Sequence, residues 1–296
     1  MDDIRTTTAN GLTIAHQSFG DPRDVPILLV MGLGTQMLGW PDEFCELLAA
    51  AGAHVTRFDN RDIGLSTHFD DLPPGQPVAA FVSRRSAYQL RDMARDTADL
   101  IGALGHDSMH LVGMSMGGCI GQVLTLEHPD RVRSLTSISS TTGNRRVGRP
   151  RLDIARRMVT QRPAASRDEV IALALANWRQ VGSPGYPFDE ARMRRRAGEA
   201  YDRRYDPAGG ARQFAALLAA PDRTAALAAV TVPTLVLHGE ADPLIGVSGG
   251  RATAAAVPGA RLVTLPGMGH DLPEALWPTF VAEIGRTVCQ AEAVRA

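Results

Sequence analysis

Short apolar runs alternate along the chain with stretches of helical periodicity. Residues 4–8 and 12–19, joined across Asn10-Gly11, read as a β-hairpin, because that dipeptide suits a tight turn with positive φ. Ile27-Leu28-Leu29-Val30-Met31 is continuously apolar between Pro26 and Gly32. Such a run suits a strand buried on both faces of a parallel sheet. Similar runs recur at residues 54–58, 109–114, 135–139, 234–237 and 261–265. Between them, Phe44, Leu47, Leu48 and Ala51 share one helix face, as do Met93, Thr97, Leu100, Ile101 and Leu104. A hairpin followed by alternating strands and helices predicts an α/β fold, with a mostly parallel eight-stranded sheet and helices on both faces.

The alternation stops between residues 141 and 230. Helical segments follow one another at 152–161, 167–181, 190–204 and 210–218, and strands resume at Thr234. The spacing predicts one core, residues 1–140 and 231–296, interrupted by an all-helical insertion at 141–230 that folds over it as a cap. Residues 141–212 hold sixteen arginines against eight acidic residues. A charge run of this kind ordinarily marks solvated helix faces.

Composition narrows the function classes. The 296 residues are 44% hydrophobic and 21% charged, as in an ordinary globular chain, and the net charge of −1 provides no field for nucleic acid. Every one of the 31 basic residues is arginine, which excludes Schiff-base chemistry and a Ser-Lys dyad. Cys45, Cys119 and Cys289 are too scattered for a disulfide framework or a zinc site and read as free buried thiols of a reducing compartment. Met1-Asp2-Asp3-Ile4 lacks the basic start of a signal peptide, and no apolar run is long enough to span a bilayer. The expectation is a cytoplasmic enzyme without metal or organic cofactor, with room for a homodimer.

Gly113-Met114-Ser115-Met116-Gly117 is a Gly-x-Ser-x-Gly pattern, which chance supplies readily in a chain with 29 glycines. Its setting makes it specific. An apolar strand leads in and a helical pattern (Cys119, Ile120, Val123, Leu124) leads out. A serine on so tight a strand-to-helix turn needs flanking glycines, and it sits where helix N–H groups favour negative charge. Its hydroxyl needs a base. Of eight histidines, His270 in Gly267-Met268-Gly269-His270 directly follows the last predicted strand, at the sheet edge where active-site loops gather. His128 reads as a helix-end residue, His54 as a strand start, and His16, His68, His106 and His110 have no comparable setting. The orienting acid should lie between serine and histidine at a strand end, and Asp242 is preferred there over Glu240. His238 on the same strand end reads as a packed residue. Oxyanion donors are expected from the amides of Met116 and Leu33, the latter in Met31-Gly32-Leu33-Gly34. Gly32-Leu33-Gly34 also begins a dinucleotide fingerprint, but the third glycine is missing.

These residues resemble the α/β-hydrolase superfamily, and within it the aclacinomycin methylesterase type of actinobacterial esterases and lipase-like hydrolases. The likeness runs through Leu29-Val30-Met31-Gly32, Gly39-Trp40-Pro41-Asp42-Glu43-Phe44, Asp59-Asn60-Arg61-Asp62, Gly113 to Gly117, Thr231-Val232-Pro233-Thr234-Leu235-Val236 and Pro266 to His270, and extends into the insertion at Trp178-Arg179 and Pro187-Phe188-Asp189. The resemblance implies an α/β-hydrolase fold, a triad of Ser115, Asp242 and His270, and an oxyanion hole from Leu33 and Met116. The chain departs from that type at Leu33-Gly34, in the arginines of the insertion and in the loop at 143–150.

The expected reaction is two-step acyl transfer on a small, largely apolar ester, which the resemblance extends to a methyl ester of a polyketide-like or aromatic compound. Met37, Trp40, Met114, Met158, Trp178, Phe188, Met193, Tyr205 and Phe214 are the candidate pocket wall, although a Met or aromatic at helical spacing more often packs locally. A lactonase, a carbon–carbon bond hydrolase or a cofactor-free perhydrolase would use the same triad. A receptor that binds without hydrolysing is the alternative from another class. A purely structural protein would leave the order of serine, acid and histidine unexplained.

Overall fold

The computed structural model describes residues 4–295; Met1 to Asp3, read above for a leader, lie outside the described residues. The strands are β1 (Arg5–Ala9), β2 (Leu12–Phe19), β3 (Val25–Val30), β4 (Ala53–Phe58), β5 (Met109–Met114), β6 (Val132–Ile138), β7 (Thr234–Gly239) and β8 (Arg261–Leu265). The helices are α1 (Asp42–Ala50), α2 (Pro77–Ser83), α3 (Leu90–Ala103), α4 (Met116–Glu127), α5 (Leu152–Thr160), α6 (Arg167–Val181), α7 (Glu190–Arg203), α8 (Pro207–Ala219), α9 (Ser248–Ala256) and α10 (Trp277–Arg295).

All eight strands form one sheet in the order β1-β2-β4-β3-β5-β6-β7-β8. Strand β2 pairs antiparallel with β1 and β4, and every other pairing is parallel. Strand β3 shows why the sheet is central. Ile27, Leu28, Leu29 and Val30 are each at most 2% exposed. Their side chains alternate: Leu28 and Val30 join one core with α3 and α4 residues, while Ile27 and Leu29 join another with residues of α1 and α10. Each such side chain contributes about 1.5–3 kcal/mol through burial.

Several sequence expectations change in detail. Leu47 is 42% exposed, because Phe44, Cys45 and Leu48 already fill the buried stripe of α1. Cys289 is exposed, whereas Cys45 and Cys119 are buried. Helix α8 begins at Pro207, earlier than the periodicity indicated, because the Asp206 carboxylate caps the amides of Ala208 and Gly209 at 2.9 and 3.0 Å. Helix α2 had no sequence signal in its apolar pattern.

The reading of the arginines as solvated faces is overturned for two of them. Arg203 of α7 donates to Asp59 at 2.8 Å, and Arg212 of α8 makes a bidentate pair with Asp62 at 2.8 and 2.9 Å. Asp59, Asp62 and Arg212 are nearly inaccessible. Burial alone would raise the Asp62 carboxyl; the Arg212 pair and the Phe69 amide outweigh it and hold that carboxyl below the usual range. Helices α7 and α8 are therefore pinned to the loop after β4. None of the described helices is long and apolar enough to cross a membrane.

Candidate active site

Strand β5 ends at Met114 and α4 begins at Met116, so Ser115 alone makes the turn, at φ 56° and ψ −119°. That region costs a non-glycine residue about 1–3 kcal/mol, held here by the surroundings. The Ser115 amide donates to Ile138 O at 2.8 Å, and Ser115 O accepts from the Gly118 amide and from Ser140 Oγ. Backbone crowding explains the two glycines. A Cβ on Gly113 would lie 2.3 Å from Gly117 O, and one on Gly117 would lie 2.0 Å from Val30 O.

Asp242 follows β7, is buried, and uses its two oxygens differently. Oδ1 accepts from the amides of Leu244 and Ile245 at 2.8 and 2.9 Å, and Oδ2 lies 2.7 Å from His270 Nδ1. A carboxylate only accepts, so Nδ1 carries the hydrogen of this bond and Nε2 is the ring nitrogen left for other partners. The rival acid, Glu240, is exposed and accepts from Thr264 Oγ1 instead. His238 is buried with Nε2 against Ile245 O at 2.7 Å, and burial pushes its pKa down.

The end of α6 holds the His270 loop. The His270 amide donates to Val181 O at 2.7 Å, the Gly269 amide to Ser183 Oγ at 2.8 Å, and the Gly185 amide to Gly267 O at 2.9 Å. A Cβ on Gly269 would lie 2.3 Å from Gly182 O, so the two segments meet backbone to backbone.

Ser115 and His270 line one cavity of about 1350 Å³, together with Leu33 and Met116. Met116 is the first residue of α4, so its amide has no carbonyl partner within the helix. Gly32 abuts the serine: a Cβ there would sit 3.6 Å from Ser115 Oγ. An array of side chains fixes this loop. Asn60 Nδ2 donates to Met31 O, Asp59 Oδ1 accepts from the Met37 amide, and the Gly34 amide donates to Gln213 Oε1 at 2.9 Å. Gln213, fully buried on α8, in turn donates to Arg61 O at 2.7 Å. Gln213→Leu leaves both backbone groups unpaired. The expected result is about 1–3 kcal/mol less stability by denaturant unfolding.

Of the nine candidate wall residues, Met114, Met158, Trp178, Phe188, Met193 and Phe214 line the cavity. Three do not. Met37 lies wholly inside, beneath the loop that Asp59 ties down. Trp40 is fully buried and stacked on Phe44, 5.9 Å between centroids, in the core over α10. Tyr205 stacks on Tyr201, and its hydroxyl accepts from the Ala164 amide at 2.9 Å. Sequence reasoning also passed over polar wall residues, Arg196 and Asp271 among them. Only the position of Asp271 directly after His270 could have drawn attention to it.

Among the described residues, one group has metal-ligand spacing, Asp62, His68 and Asp206. The Arg212 guanidinium already supplies its positive charge, paired to Asp62 and 3.6 Å from Asp206. A hydroxyl on a strained turn, a carboxylate-held imidazole and a free helix-terminal amide around one cavity are together suited to acyl transfer.

Residues 25–274 match the alpha/beta hydrolase fold family. The chain is 32% identical to rhodomycin D methylesterase DauP of Streptomyces sp. (strain C5), over 95% of this chain and 96% of that protein. It is 31% identical, over the same shares, to rhodomycin D methylesterase DnrP of Streptomyces peucetius. In three dimensions it is similar to the enol-lactonase from Burkholderia xenovorans LB400, with a TM-score of 0.74 and 23% identity over 96% of this chain and 100% of that one. At that identity the likeness concerns the fold.

Proposed function

The chain belongs to the α/β-hydrolase-fold family, and from that premise we propose that it is a serine esterase for a largely apolar carboxylic ester. The observation that carries this reading is the 2.7 Å contact between His270 Nδ1 and Asp242 Oδ2 beside a cavity shared with Ser115. His270 Nε2 takes the proton of Ser115 Oγ as the oxygen attacks the ester carbonyl. The Leu33 and Met116 amides hold the tetrahedral oxyanion. The bond to the alcohol oxygen then breaks, the alcohol leaves with the proton from His270, and an acyl-serine remains. Water, deprotonated by the same imidazole, releases the acid and frees Ser115. No step calls for a metal or organic cofactor.

The four helices between β6 and β7 act as a cap that shapes the ester pocket. A cavity of about 1350 Å³ exceeds the usual 300–1,000 Å³ of small-molecule sites, and its methionines and aromatics favour a bulky apolar group. The methylesterase relatives support a methyl ester of an aromatic or polyketide-like acid.

A fluorophosphonate probe tests the chemistry. It is expected to add one adduct per chain, which peptide mass spectrometry locates on Ser115. An adduct elsewhere, or none under conditions that label another serine hydrolase, overturns the assignment. Methyl esters of increasing acyl size then read the cavity, and rising kcat/KM from acetate to a polycyclic aromatic acid is the expected result.

A further inference from the structure

The wall of the cavity is largely apolar, yet two of its charged side chains are left with little to bind. Asp271 is only 7% exposed. Its Oδ1 accepts from Ser183 Oγ, while Oδ2 is buried without any partner. Buried carboxylate oxygens are ordinarily hydrogen-bonded, so an orphan on a cavity wall marks a place for an incoming donor. Burial pushes the Asp271 carboxyl up to about 6, with Asp242 adding to the rise and Ser183, His270 and Arg196 opposing it. Near pH 7 it is an anion kept at a cost to the fold.

Arg196 of α7 lines the same cavity and interacts electrostatically with Asp271. Its guanidinium has five N–H donors. Their acceptors are Gly39 O at 3.3 Å and Met193 Sδ at 3.9 Å, both weak. No carboxylate of the described residues lies within ion-pairing distance, unlike Arg203 and Arg212 on the same pair of helices.

We propose that Asp271 and Arg196 form a polar subsite beside His270 that recognises an oxygenated substituent near the scissile ester, a hydroxyl donating to Asp271 Oδ2 and a carbonyl or ether oxygen accepting from Arg196. The substrate class is then a hydroxy- or keto-substituted apolar ester rather than a plain hydrocarbon one. The hydroxyl gives Asp271 Oδ2 the partner it lacks, so it adds discrimination at a site that is otherwise a hydrophobic sieve. The proposal rests on the esterase reading for the ester and the kinetic readout, while the binding of the substituent is read separately.

Three matched substrates test it: methyl 3-phenylpropanoate, its 3-hydroxy derivative and its 3-oxo derivative. The wild-type protein is expected to favour both the 3-hydroxy and the 3-oxo ester over the plain ester in kcat/KM by roughly 10- to 100-fold, the range of a hydrogen bond to a charged group. Asp271→Asn keeps an oxygen for Ser183 and turns the free atom into a donor, and it is expected to collapse the 3-hydroxy preference. Arg196→Met is expected to collapse the 3-oxo preference while keeping the 3-hydroxy one. Equal rates of all three esters with the wild-type protein overturn the subsite, as does a loss in Asp271→Asn that leaves the ratios unchanged and so marks a residue that only positions His270. If no ester is hydrolysed, the esterase reading fails separately. Calorimetric binding of the three compounds to the Ser115→Ala protein still reads the subsite, and equal affinities there overturn it.

Discussion

Replacing Ser115 by alanine is expected to lower ester turnover on the order of 10⁵- to 10⁶-fold, the loss met when the nucleophile of a triad is removed, with thermal unfolding little changed. The geometry separates the two effects. The hydrogen bonds that hold residue 115 run through its backbone, to Ile138, Gly118 and Ser140, and alanine keeps all of them. The positive φ is no worse for alanine than for serine. The variant should therefore give the same circular dichroism and the same Tm as the wild type. Steady-state hydrolysis of a nitrophenyl ester, with a buffer blank subtracted, measures the remaining rate. Turnover above one hundredth of the wild-type value would remove Ser115 from the chemistry.

Arg212→Met carries the largest expected cost in stability, about 3–5 kcal/mol, because it strands the Asp62 carboxylate with no counter-charge. Both partners are essentially inaccessible. A Tm lower by roughly 5–8 °C is the corresponding thermal shift for a chain of this size. The pH dependence has a definite sign. The folded-state pKa of Asp62 lies below its unfolded value, so the pair stabilises the protein above the ordinary carboxylate pKa and loses that effect as pH falls through the depressed one. The gap between wild type and variant is thus expected to be widest near neutrality and to narrow in acid, where the stranded carboxyl takes up a proton. Adding Asp62→Asn should recover most of the loss, and guanidinium unfolding of the four proteins of the cycle measures the coupling. Additive effects would show that the pair contributes no coupling.

The sheet was legible because parallel strands buried on both faces leave uninterrupted apolar runs, and Ile27 to Val30 is such a run. The elbow was legible because its glycines answer to backbone contacts within a few residues, Gly113 against Gly117. Long-range polar pairing leaves no such mark. Arg203 and Arg212 look like their neighbours Arg194 and Arg204 in sequence, yet two are buried against Asp59 and Asp62, and two meet exposed Glu190 and Asp70. Nothing in the local sequence around α7 and α8 separates them, because the buried partners lie 144 and 150 residues away. The same holds for Gln213, whose contact with Gly34 spans 179 residues. Trp40 and Tyr205 were misplaced for a related reason. An aromatic side chain fits a core as well as a cavity, and only the final packing, against Phe44 and Tyr201, decides.

The contact between α6 and the His270 loop bears on how such an enzyme can be altered. Val181 ends α6 and Ser183 follows two residues later, and they hold the amides of His270 and Gly269. In the proposed reaction, substrate choice and proton transfer would thus share a mechanical joint. A set of foreign helices grafted between β6 and β7 would have to reproduce that joint, or the imidazole would lose its seat however well the new wall fitted a new ester. Changes confined to α5, whose Leu152 is 87% and Val159 51% exposed at the cavity rim, leave the joint alone and are the safer ground for redesign.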